Sequence, residues 1–341
     1  MLSSREHRRL GFAAILLAAN SVPSRAKAQQ PPQGFAIERL YSSAPGGGWF
    51  VMDDLDMHGG LGGVMALTSG YSMKPLRVTD GLQHVAVVSD RAFTDFGFAV
   101  TYERWRLYLN MEAPLLTKGE SGTVGAYQFA APSLDLGTAP DTLTDARIGL
   151  DARVFGRATS SFRLGLGAQL FIPNGNRFYS DVNGNYHANY DTDGTYRAMG
   201  RVLVAGDAGM FTYAGHAGVH VRPLDDSPTP GSPQGSELLF GAAAGARLPV
   251  FGNHAIVVGP EIYGATAFRA FMQSTGTALE ALLAGRLEGT VDDGPQLRFK
   301  LGTGAGLNPH FGAPEWRLVF GIELSDRTAG EAVEIPRSPQ P

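Results

Sequence analysis

The stretch EWRLVFGIEL, residues Glu315–Leu324, alternates between two kinds of side chain along its whole length. The even positions are all apolar: Trp316, Leu318, Phe320, Ile322 and Leu324. Because successive side chains of a β-strand point to opposite faces, the stretch predicts a strand with one apolar face and one largely polar face. Such a strand fits either the core of a soluble sandwich or the wall of a membrane barrel.

The same two-residue period recurs along most of the chain. QLRFKLGTGAG at 296–306 and SFRLGLGAQLFI at 161–172 show it clearly. The pattern predicts strands at 61–73, 95–102, 104–112, 143–155, 161–172, 195–207, 210–221, 236–248, 254–264, 279–288, 296–306 and 315–324. We therefore predict an all-β fold, namely a transmembrane antiparallel up-and-down β-barrel of about 12 strands.

The predicted connections between these strands alternate between short and long. Outer-membrane barrels have short turns on the periplasmic side and longer loops on the extracellular side. The connections at 74–94, 113–142 and 173–194 are long, and we expect the last two to be exposed at the cell surface. An even number of strands returns the chain to the periplasmic side on which the barrel begins.

Strand length and aromatic positions decide between the sandwich and the barrel. Sandwich strands usually have about five or six residues, whereas about ten tilted residues are needed to cross a bilayer. Aromatic residues lie near the ends of the apolar faces, Tyr102, Trp105, Phe162 and Phe211 on the turn side, and Tyr71, Tyr196 and Trp316 on the loop side. Two such girdles are typical of a membrane band. The apolar face is therefore predicted to meet the lipid of a cell outer membrane, and the polar face the lumen.

The first residues have the features of a signal peptide. Arg5, Arg8 and Arg9 precede the apolar run LGFAAILLAANSV, and the small-x-small sequence AKA ends at Ala28. This pattern predicts a signal peptide over residues 1–28. The chain has no cysteine, which excludes disulfides and thiolate metal sites. Its formal net charge of −4 argues against a nucleic-acid partner.

Two further segments flank the predicted barrel, which spans residues 61–325. Residues 29–60 contain APGGGWFVMDDLDMHGG and precede the first predicted strand. They are compatible with a periplasmic lead-in and equally with a segment that folds back into the lumen as a plug. Residues 326–341 are expected to form a short flexible C-terminal tail.

Charged and histidine residues on the polar strand faces are predicted to line the lumen. Basic residues predominate in this set. Its members are Arg147, Asp151, Arg163, Arg197, Arg201, His216, His220, Arg247, Glu261, Glu280, Arg286, Arg298, Lys300 and Arg317. A mixed interior of this kind either lines a wet channel or is closed by ion pairs, and both alternatives remain open.

Two patterns could mark a metal or catalytic site, and neither fits well. His216 and His220 share one face of a strand, but at about 3.3 Å per residue they lie too far apart for one metal ion. The oxygen-rich loop at 181–194 has Tyr186 and Thr192 where an EF-hand-like loop needs glycine and glutamate. A solvated extracellular loop is favoured over a calcium site. We expect no cofactor, no metal and no catalytic residue.

Several stretches of the sequence resemble a known family. They are DLDMHGGLGG, DFGFAVTYERWRLYLN, ARIGLDAR, GAQLFIPNGN, RPLDDSPTPGSPQGSELLFG and LNPHFGAPEWRLVFGIEL. They look like the N-terminal barrel portion found in a subset of OmpA-family outer-membrane proteins, and cover most of residues 35–325. Those relatives usually continue into a peptidoglycan-binding domain, and we expect its cell-wall anchoring role not to carry over to this chain. Similarity to FadL-like transporters and phenol-degradation-type barrels is weaker and implies passage of small molecules.

Together these features predict an outer-membrane protein that is a passive channel or transporter for small solutes. The resemblance implies a lipid bilayer and lipopolysaccharide as surroundings, and barrel-assembly machinery as a partner during biogenesis. The main alternative is a structural or surface-interaction barrel whose lumen is closed by ion pairs. A lipid-modifying enzyme is a weaker alternative, because no GxSxG elbow or nucleophile–base pair is evident.

Overall fold

The computed structural model describes residues 32–125, 127–135, 144–181, 183–224, 235–252, 254–290, 294–308 and 312–326. The predicted signal peptide at 1–28 lies outside these residues, as does the predicted tail apart from Asp326. No helix within the described ranges is long and apolar enough to cross a membrane.

Strands account for most of the described chain. The long ones are β1 (Leu61–Thr79), β2 (His84–Tyr102), β3 (Trp105–Lys118), β7 (Ala146–Phe155), β8 (Arg163–Ile172), β11 (Arg197–Ala208), β12 (Phe211–Val221), β13 (Glu237–Pro249), β14 (Ala255–Ala267), β15 (Thr277–Thr290), β16 (Gln296–Asn308) and β17 (Trp316–Ser325). The short ones are β4 (Gly122–Val124), β5 (Tyr127–Phe129), β6 (Ser133–Asp135), β9 (Phe178–Ser180) and β10 (Tyr186–Ala188). A 3₁₀ turn, Phe268–Ala270, follows β14.

The long strands form one closed antiparallel barrel. Each pairs with the long strands before and after it in the chain, and the short strands lie in the connections. β1 and β17 close the seam, in a register that runs from Val64 opposite Ser325 to Met73 opposite Trp316. The prediction of a twelve-stranded antiparallel barrel is confirmed.

Side chains alternate between the two faces of the wall. On β16, Gln296, Arg298 and Lys300 are buried inside the barrel, whereas Phe299 and Leu301 are exposed on the outside. The exposed outer residues of the other strands are also large and apolar, and include Phe98, Leu107, Leu166, Val202, Ile262, Leu283 and Phe320. The outer surface is therefore apolar and the inner surface polar, as the sequence predicts.

The two ends of the barrel differ. At one end, called the turn end, the connections are short, as at Glu103–Arg104 and Gly209–Met210. At the other, called the loop end, the connections carry the short strands and the extended hairpin of β1 and β2. β1 begins and β17 finishes at the turn end.

The prediction of a long loop at 74–94 is wrong. β1 and β2 instead continue as a hairpin to a turn at 80–83. In that turn Asp80 Oδ1 accepts hydrogen bonds from the amides of Leu82 (2.9 Å) and Gln83 (2.8 Å). The hairpin therefore has a well-formed tip beyond the barrel wall.

Two irregularities interrupt the alternating pattern, so the sequence does not predict this extension. The register of β1 and β2 shifts between Met73 and Leu76, and Lys74 has a positive φ of 48°. Beyond them the hairpin packs on other loop-end residues, so its buried side chains no longer follow the inside–outside alternation of the wall. The resulting loop-end cluster contains Phe35, Ile37, Leu76, Val78, Val87, Val88, Val124, Phe129, Ala130, Ala188, Tyr190 and Leu224.

The main apolar core lies inside the barrel. It joins residues of the segment that precedes β1, namely Leu40, Trp49, Phe50, Val51, Met52, Leu55 and Met57, to inward residues of the wall such as Phe93, Leu203, Val257, Tyr263, Leu282 and Val319. Residues 33–57, called the lumen segment, thus occupy the interior.

Candidate functional site: the barrel lumen

The lumen segment runs through the barrel from the loop end to the turn end. Near its start, the amide of Gly34 donates to the carbonyl of Arg177, at 2.9 Å, in the connection between β8 and β11. Near its finish, Arg153 Nη1 on β7 donates to the carbonyl of Met57, at 2.7 Å. The chain then enters β1 at the turn end.

A glycine-rich turn lies midway along the segment. The amide of Gly47 donates to the carbonyl of Ala44, at 2.7 Å, and Gly48 pairs with Asp53 in an isolated bridge. Gly46 and Gly48 have φ values of 84° and 86°, a region that residues with a Cβ rarely adopt. The sequence APGGGWF therefore forms a tight turn that presents Trp49 and Phe50 to the wall.

Glycines of the wall make room for the large side chains of the segment. A Cβ placed at Gly245 would lie 2.8 Å from Trp49 Cη2, and one at Gly302 would lie 2.8 Å from Phe50 Cε2. The same relation joins Met52 with Gly241, and Leu55 with Gly165. Glycine weakens a strand because it costs conformational entropy and offers no side chain to pack. At these inward positions it instead permits close approach of the segment.

A wall carboxylate holds the backbone of the segment. Glu261, which is fully buried on β14, accepts hydrogen bonds from three consecutive amides: Phe50 (2.9 Å), Val51 (3.0 Å) and Met52 (3.4 Å). Successive amides pointing to one place form a nest that favours a negative charge. This contact fixes the centre of the segment against the wall.

Ion pairs attach the segment at the turn end. Three wall arginines each pair with one of its carboxylates: Arg106 with Asp53, Arg286 with Asp54 at 2.8 Å, and Arg298 with Asp56. All three guanidinium groups are nearly inaccessible to solvent. Because a buried charge is costly without a partner, these pairs make the segment part of the charge balance of the lumen.

A second set of ion pairs attaches the segment at the loop end. The Glu38 carboxylate lies 2.7 Å from Arg91 Nη1 and 2.9 Å from Arg317 Nη2. Arg317 also reaches Glu280, at 2.6 Å, and is completely buried. The segment therefore links β2 and β17, the two strands that flank β1 in the wall.

Asp193 connects the segment to the connection that follows β10. Its Oδ1 accepts a hydrogen bond from the Ala36 amide at 2.8 Å, and both of its oxygens accept from Arg222 at 2.8 Å. Burial raises the pKa of Asp193, but the charges of Arg222 and Arg197 outweigh burial and hold it well below its usual range. Asp193 is therefore a charged acceptor at neutral pH.

The structure places the predicted lumen residues inside the barrel. The buried ones are Arg147, Asp151, Arg163, Arg197, Arg201, His220, Glu261, Glu280, Arg286, Arg298, Lys300 and Arg317. His216 is half-buried on the inner face of β12. Arg247 differs, because its side chain is 40% exposed at the turn end, where it pairs with Glu288 at 3.0 Å. Most of these residues contact one another or the lumen segment, not open solvent.

Within the described residues, neither the histidines nor the oxygen-rich loop brings together a group of side chains that could hold a metal ion. His220 Nδ1 lies 3.4 Å from both Tyr41 Oη and Glu237 Oε1. No group of three or more His, Cys, Asp or Glu residues in the described part of the chain is placed to hold a metal ion. The expectation of a solvated loop at 181–194 is wrong for its second half, since Asp191 and Asp193 turn into the barrel and pair with arginines.

The predicted interface aromatics lie on the outer surface. Tyr102, Trp105, Phe162 and Phe211 are 44–60% exposed near the turn end, and Tyr196 and Trp316 are 61% and 40% exposed near the loop end. Tyr71 packs against Trp316, with ring centroids 5.8 Å apart. They form two girdles around an apolar band, which is the surface that a bilayer requires.

The chain is an outer-membrane β-barrel. No known family matches its sequence, and no curated protein matches it. Among solved structures, it is similar to an outer-membrane channel from Pseudomonas putida F1, with 11% identity over 79% of this chain and 98% of that chain and a TM-score of 0.49.

The chain is also similar to two other solved structures. One is CymD, a monoaromatic hydrocarbon channel, with 8% identity over 85% of this chain and 98% of that chain and a TM-score of 0.42. Another is LpxR from Salmonella typhimurium, with 11% identity over 76% of this chain and 99% of that chain and a TM-score of 0.37. Likenesses this distant carry no inference about function.

Sequence reasoning missed the residues of the segment that complete the lumen. Glu38, Asp53, Asp54 and Asp56 supply negative charge to a wall in which basic residues predominate. The excess of basic residues on the predicted lumen face, together with the acidic sequence directly before the first strand, could have indicated that this sequence enters the lumen. Arg91 was also missed, because the strand that carries it was predicted to be a loop.

Proposed function

We propose that the protein is a channel for small solutes in the outer membrane, held closed in this structure by its lumen segment. The observation that carries the proposal is that a separate stretch of chain, residues 33–57, fills the lumen. Its contacts with the wall are non-covalent, so the segment can leave while the wall stays paired. With the short turns in the periplasm, the loop end faces the outside of the cell.

Barrel size supports this proposal. About eight strands give an interior that side chains alone can fill, whereas barrels of 16 or more leave an aqueous channel. A twelve-stranded wall lies between these sizes, and here the extra room is taken by the segment. Among the described residues of the lumen, one cavity of about 50 Å³ lies beside Asp56 and Arg298, and another of about 50 Å³ lies beside Glu38 and Arg147. Spaces of this size hold a few water molecules at most.

A closed scaffold that presents its loop end to other molecules is the second candidate. The observation that favours it is the tight fit of the segment, whose Trp49, Phe50, Met52 and Leu55 occupy spaces left by wall glycines. A permanent core would show the same fit. The two candidates differ in whether the segment leaves the lumen.

The family resemblance and the partners expected from the sequence are part of the same proposal. The OmpA-family resemblance would then concern the barrel portion alone, and the FadL-like similarity would agree with passage of small molecules. Lipopolysaccharide and the barrel-assembly machinery are proposed as surroundings and partner. We propose no enzymatic activity for the lumen: its buried arginines, Glu261 and His220 are engaged with the segment or with neighbouring charges.

Planar-bilayer conductance tests the proposal. The triple variant Trp49→Ala, Phe50→Ala, Met52→Ala, called the release variant, removes the side chains that anchor the centre of the segment. Each large-to-small change in a core costs about 2–5 kcal/mol, so the segment should leave the lumen far more often. We expect rare openings from the native protein and frequent openings from the release variant.

A matched control removes similar apolar volume from the outer surface. Phe299→Ala, Leu301→Ala, Phe320→Ala changes residues that face lipid, and should leave conductance at the native level. Heat-modifiable gel migration checks that every barrel is folded. A folded release variant that stays closed would reject the channel and leave the scaffold.

A further inference from the structure

Three buried arginines near the turn end bind carboxylates that belong to the lumen segment, not to the wall. Arg106, Arg286 and Arg298 are 1%, 4% and 4% exposed. Their partners, Asp53, Asp54 and Asp56, are close together in the sequence MDDLD. Four residues of the segment thus supply three negative charges to one region of the wall.

Two more cationic groups of this region contact the backbone of the segment. Lys300 Nζ donates to the carbonyl of Trp49 at 3.1 Å, and Arg153 Nη1 donates to the carbonyl of Leu55 at 2.9 Å. Arg298 Nη1 also donates to the carbonyl of Gly46, at 3.0 Å. The segment therefore satisfies these groups through carbonyl oxygens as well as carboxylates.

The wall alone supplies fewer acids than bases here. Asp151 lies 2.8 Å from Arg106, and Glu288 lies 3.1 Å from Arg286 and 3.6 Å from Arg298. Glu323 is shared between Lys300, at 2.7 Å, and Arg298, at 3.5 Å. Glu261 lies beside Arg286 and Lys300 in the same part of the wall. When the segment leaves, the five cationic groups keep these four wall acids and lose the three of the segment, so the region has a net positive charge.

We infer that Arg106, Arg286 and Arg298 form an anion-binding site in the open channel, for small solutes that carry two or more carboxylate or phosphate groups. In the closed state Asp53, Asp54 and Asp56 occupy the positions of the solute's anionic groups. This inference rests on the proposed channel function and names the solute class that the channel favours.

The chemistry of guanidinium supports this solute class. Arginine stays charged at any physiological pH and offers a planar set of donors that matches carboxylate and phosphate oxygens. A solute with one anionic group could engage one arginine, whereas a solute with two could engage two at once, as the segment does. A neutral solute would leave the buried charges unpaired, and a cation would be repelled.

Thermal unfolding in detergent tests the site without requiring conductance. Sodium succinate is the probe, and sodium chloride at equal ionic strength is the control salt. Because a ligand that binds the folded state stabilises it, succinate should raise the Tm of the full-length release variant. The same variant carrying Arg286→Gln and Arg298→Gln should show no such rise. Equal rises with and without the two arginines, or no rise in either, would overturn the inference.

A second variant tests the site with the anchors of the segment intact. Asp54→Asn, Asp56→Asn removes two of the occupying carboxylates and leaves the arginines in place. The uncharged asparagines hold the arginines less tightly, so succinate should displace the segment and raise the Tm of this variant. The Tm of the native protein should not change, because its aspartates keep the site filled. A response from the native protein that equals that of the variant would contradict occupation by the segment.

Ion selectivity then separates the site from the channel. In a potassium chloride gradient, open steps of the release variant should be anion-selective, and Arg286→Gln with Arg298→Gln should shift them towards cations. Succinate should block the chloride current about tenfold more weakly in that double substitution, which corresponds to about 1.4 kcal/mol of lost binding. Conductance without anion preference would reject the site and keep the channel.

Discussion

The Asp193 carboxylate holds the start of the lumen segment through the Ala36 amide and Arg222. Its pKa in the folded protein lies below its ordinary value of 3.8, because Arg222 and Arg197 outweigh burial. A depressed pKa contributes stability that is present above the unfolded value and is lost as pH falls through the folded one. We expect the Ala36 amide to resist hydrogen exchange at neutral pH and to lose protection only in strong acid, well below pH 3.8, where Asp193 becomes protonated in the folded protein.

Substitution of the same residue gives a second prediction. Asp193→Asn leaves Arg222 with Glu237 as its remaining acidic partner, at 2.9 Å. Breaking a buried pair from one side costs about 3–5 kcal/mol, so urea unfolding should show a loss of that order. Asp181→Asn is the control, since Asp181 is half-buried and, among the described residues, its carboxylate accepts hydrogen bonds from its own loop and lies 3.4 Å from His187. An equal loss from both variants would contradict a special role for Asp193.

Trp49 and Gly245 fit each other as large and small partners. Trp49→Ala should cost about 3–5 kcal/mol, and Gly245→Leu should also destabilise, because its side chain would enter the space of the indole. The double variant should lose less than the sum of the two single losses, since leucine then fills part of the cavity. Urea unfolding of all four proteins measures this coupling, and strict additivity would show that the two residues do not share one space.

At the level of whole elements, the sequence predicts the wall but leaves open whether residues 29–60 enter the lumen or lie in the periplasm. Strands such as β16 face lipid on one side and a polar interior on the other, so their sequences alternate. Residues 33–57 are surrounded by the wall, so apolar and charged side chains such as Ile37, Arg39 and Asp53 are all buried. The sequence of the segment therefore shows no alternation of apolar and polar residues. The β1–β2 extension was missed for a related reason, because it packs on other loops.

The difference in exposure between the hairpin tip and the lumen segment predicts where a protease can cut. Leu82 at the tip of the β1–β2 hairpin is 92% exposed, whereas Gly46–Gly48 lie buried in the lumen. A protease recognition sequence inserted at 80–83 should be cut on intact cells. The same sequence at 46–48 should resist cleavage in any chain whose segment still enters the barrel. Cleavage at 80–83 only after the outer membrane is permeabilised would invert the proposed orientation.

For the molecule as a whole, the direction of the lumen segment sets the position of its first residues. Gly34 lies at the loop end, beside the carbonyl of Arg177, although β1 starts at the turn end. We therefore expect an epitope inserted before Gln33 to bind antibody on intact cells. An epitope placed after Asp326, at the turn end, should bind only in permeabilised cells. Reversed results for the two epitopes would contradict the path of the segment.

The position of the segment also bears on the order of events during assembly. It precedes β1 in the chain, and β1 pairs with the final strand, β17, to close the wall. We expect residues 33–57 to enter the interior while β1 and β17 are still apart, so that seam closure comes last. In a chain whose other tryptophans, Trp105 and Trp316, are replaced by phenylalanine, the fluorescence of Trp49 should report burial before the barrel gains heat-modifiable migration. Reversal of that order would mean that the segment instead threads into a finished barrel through its mouth.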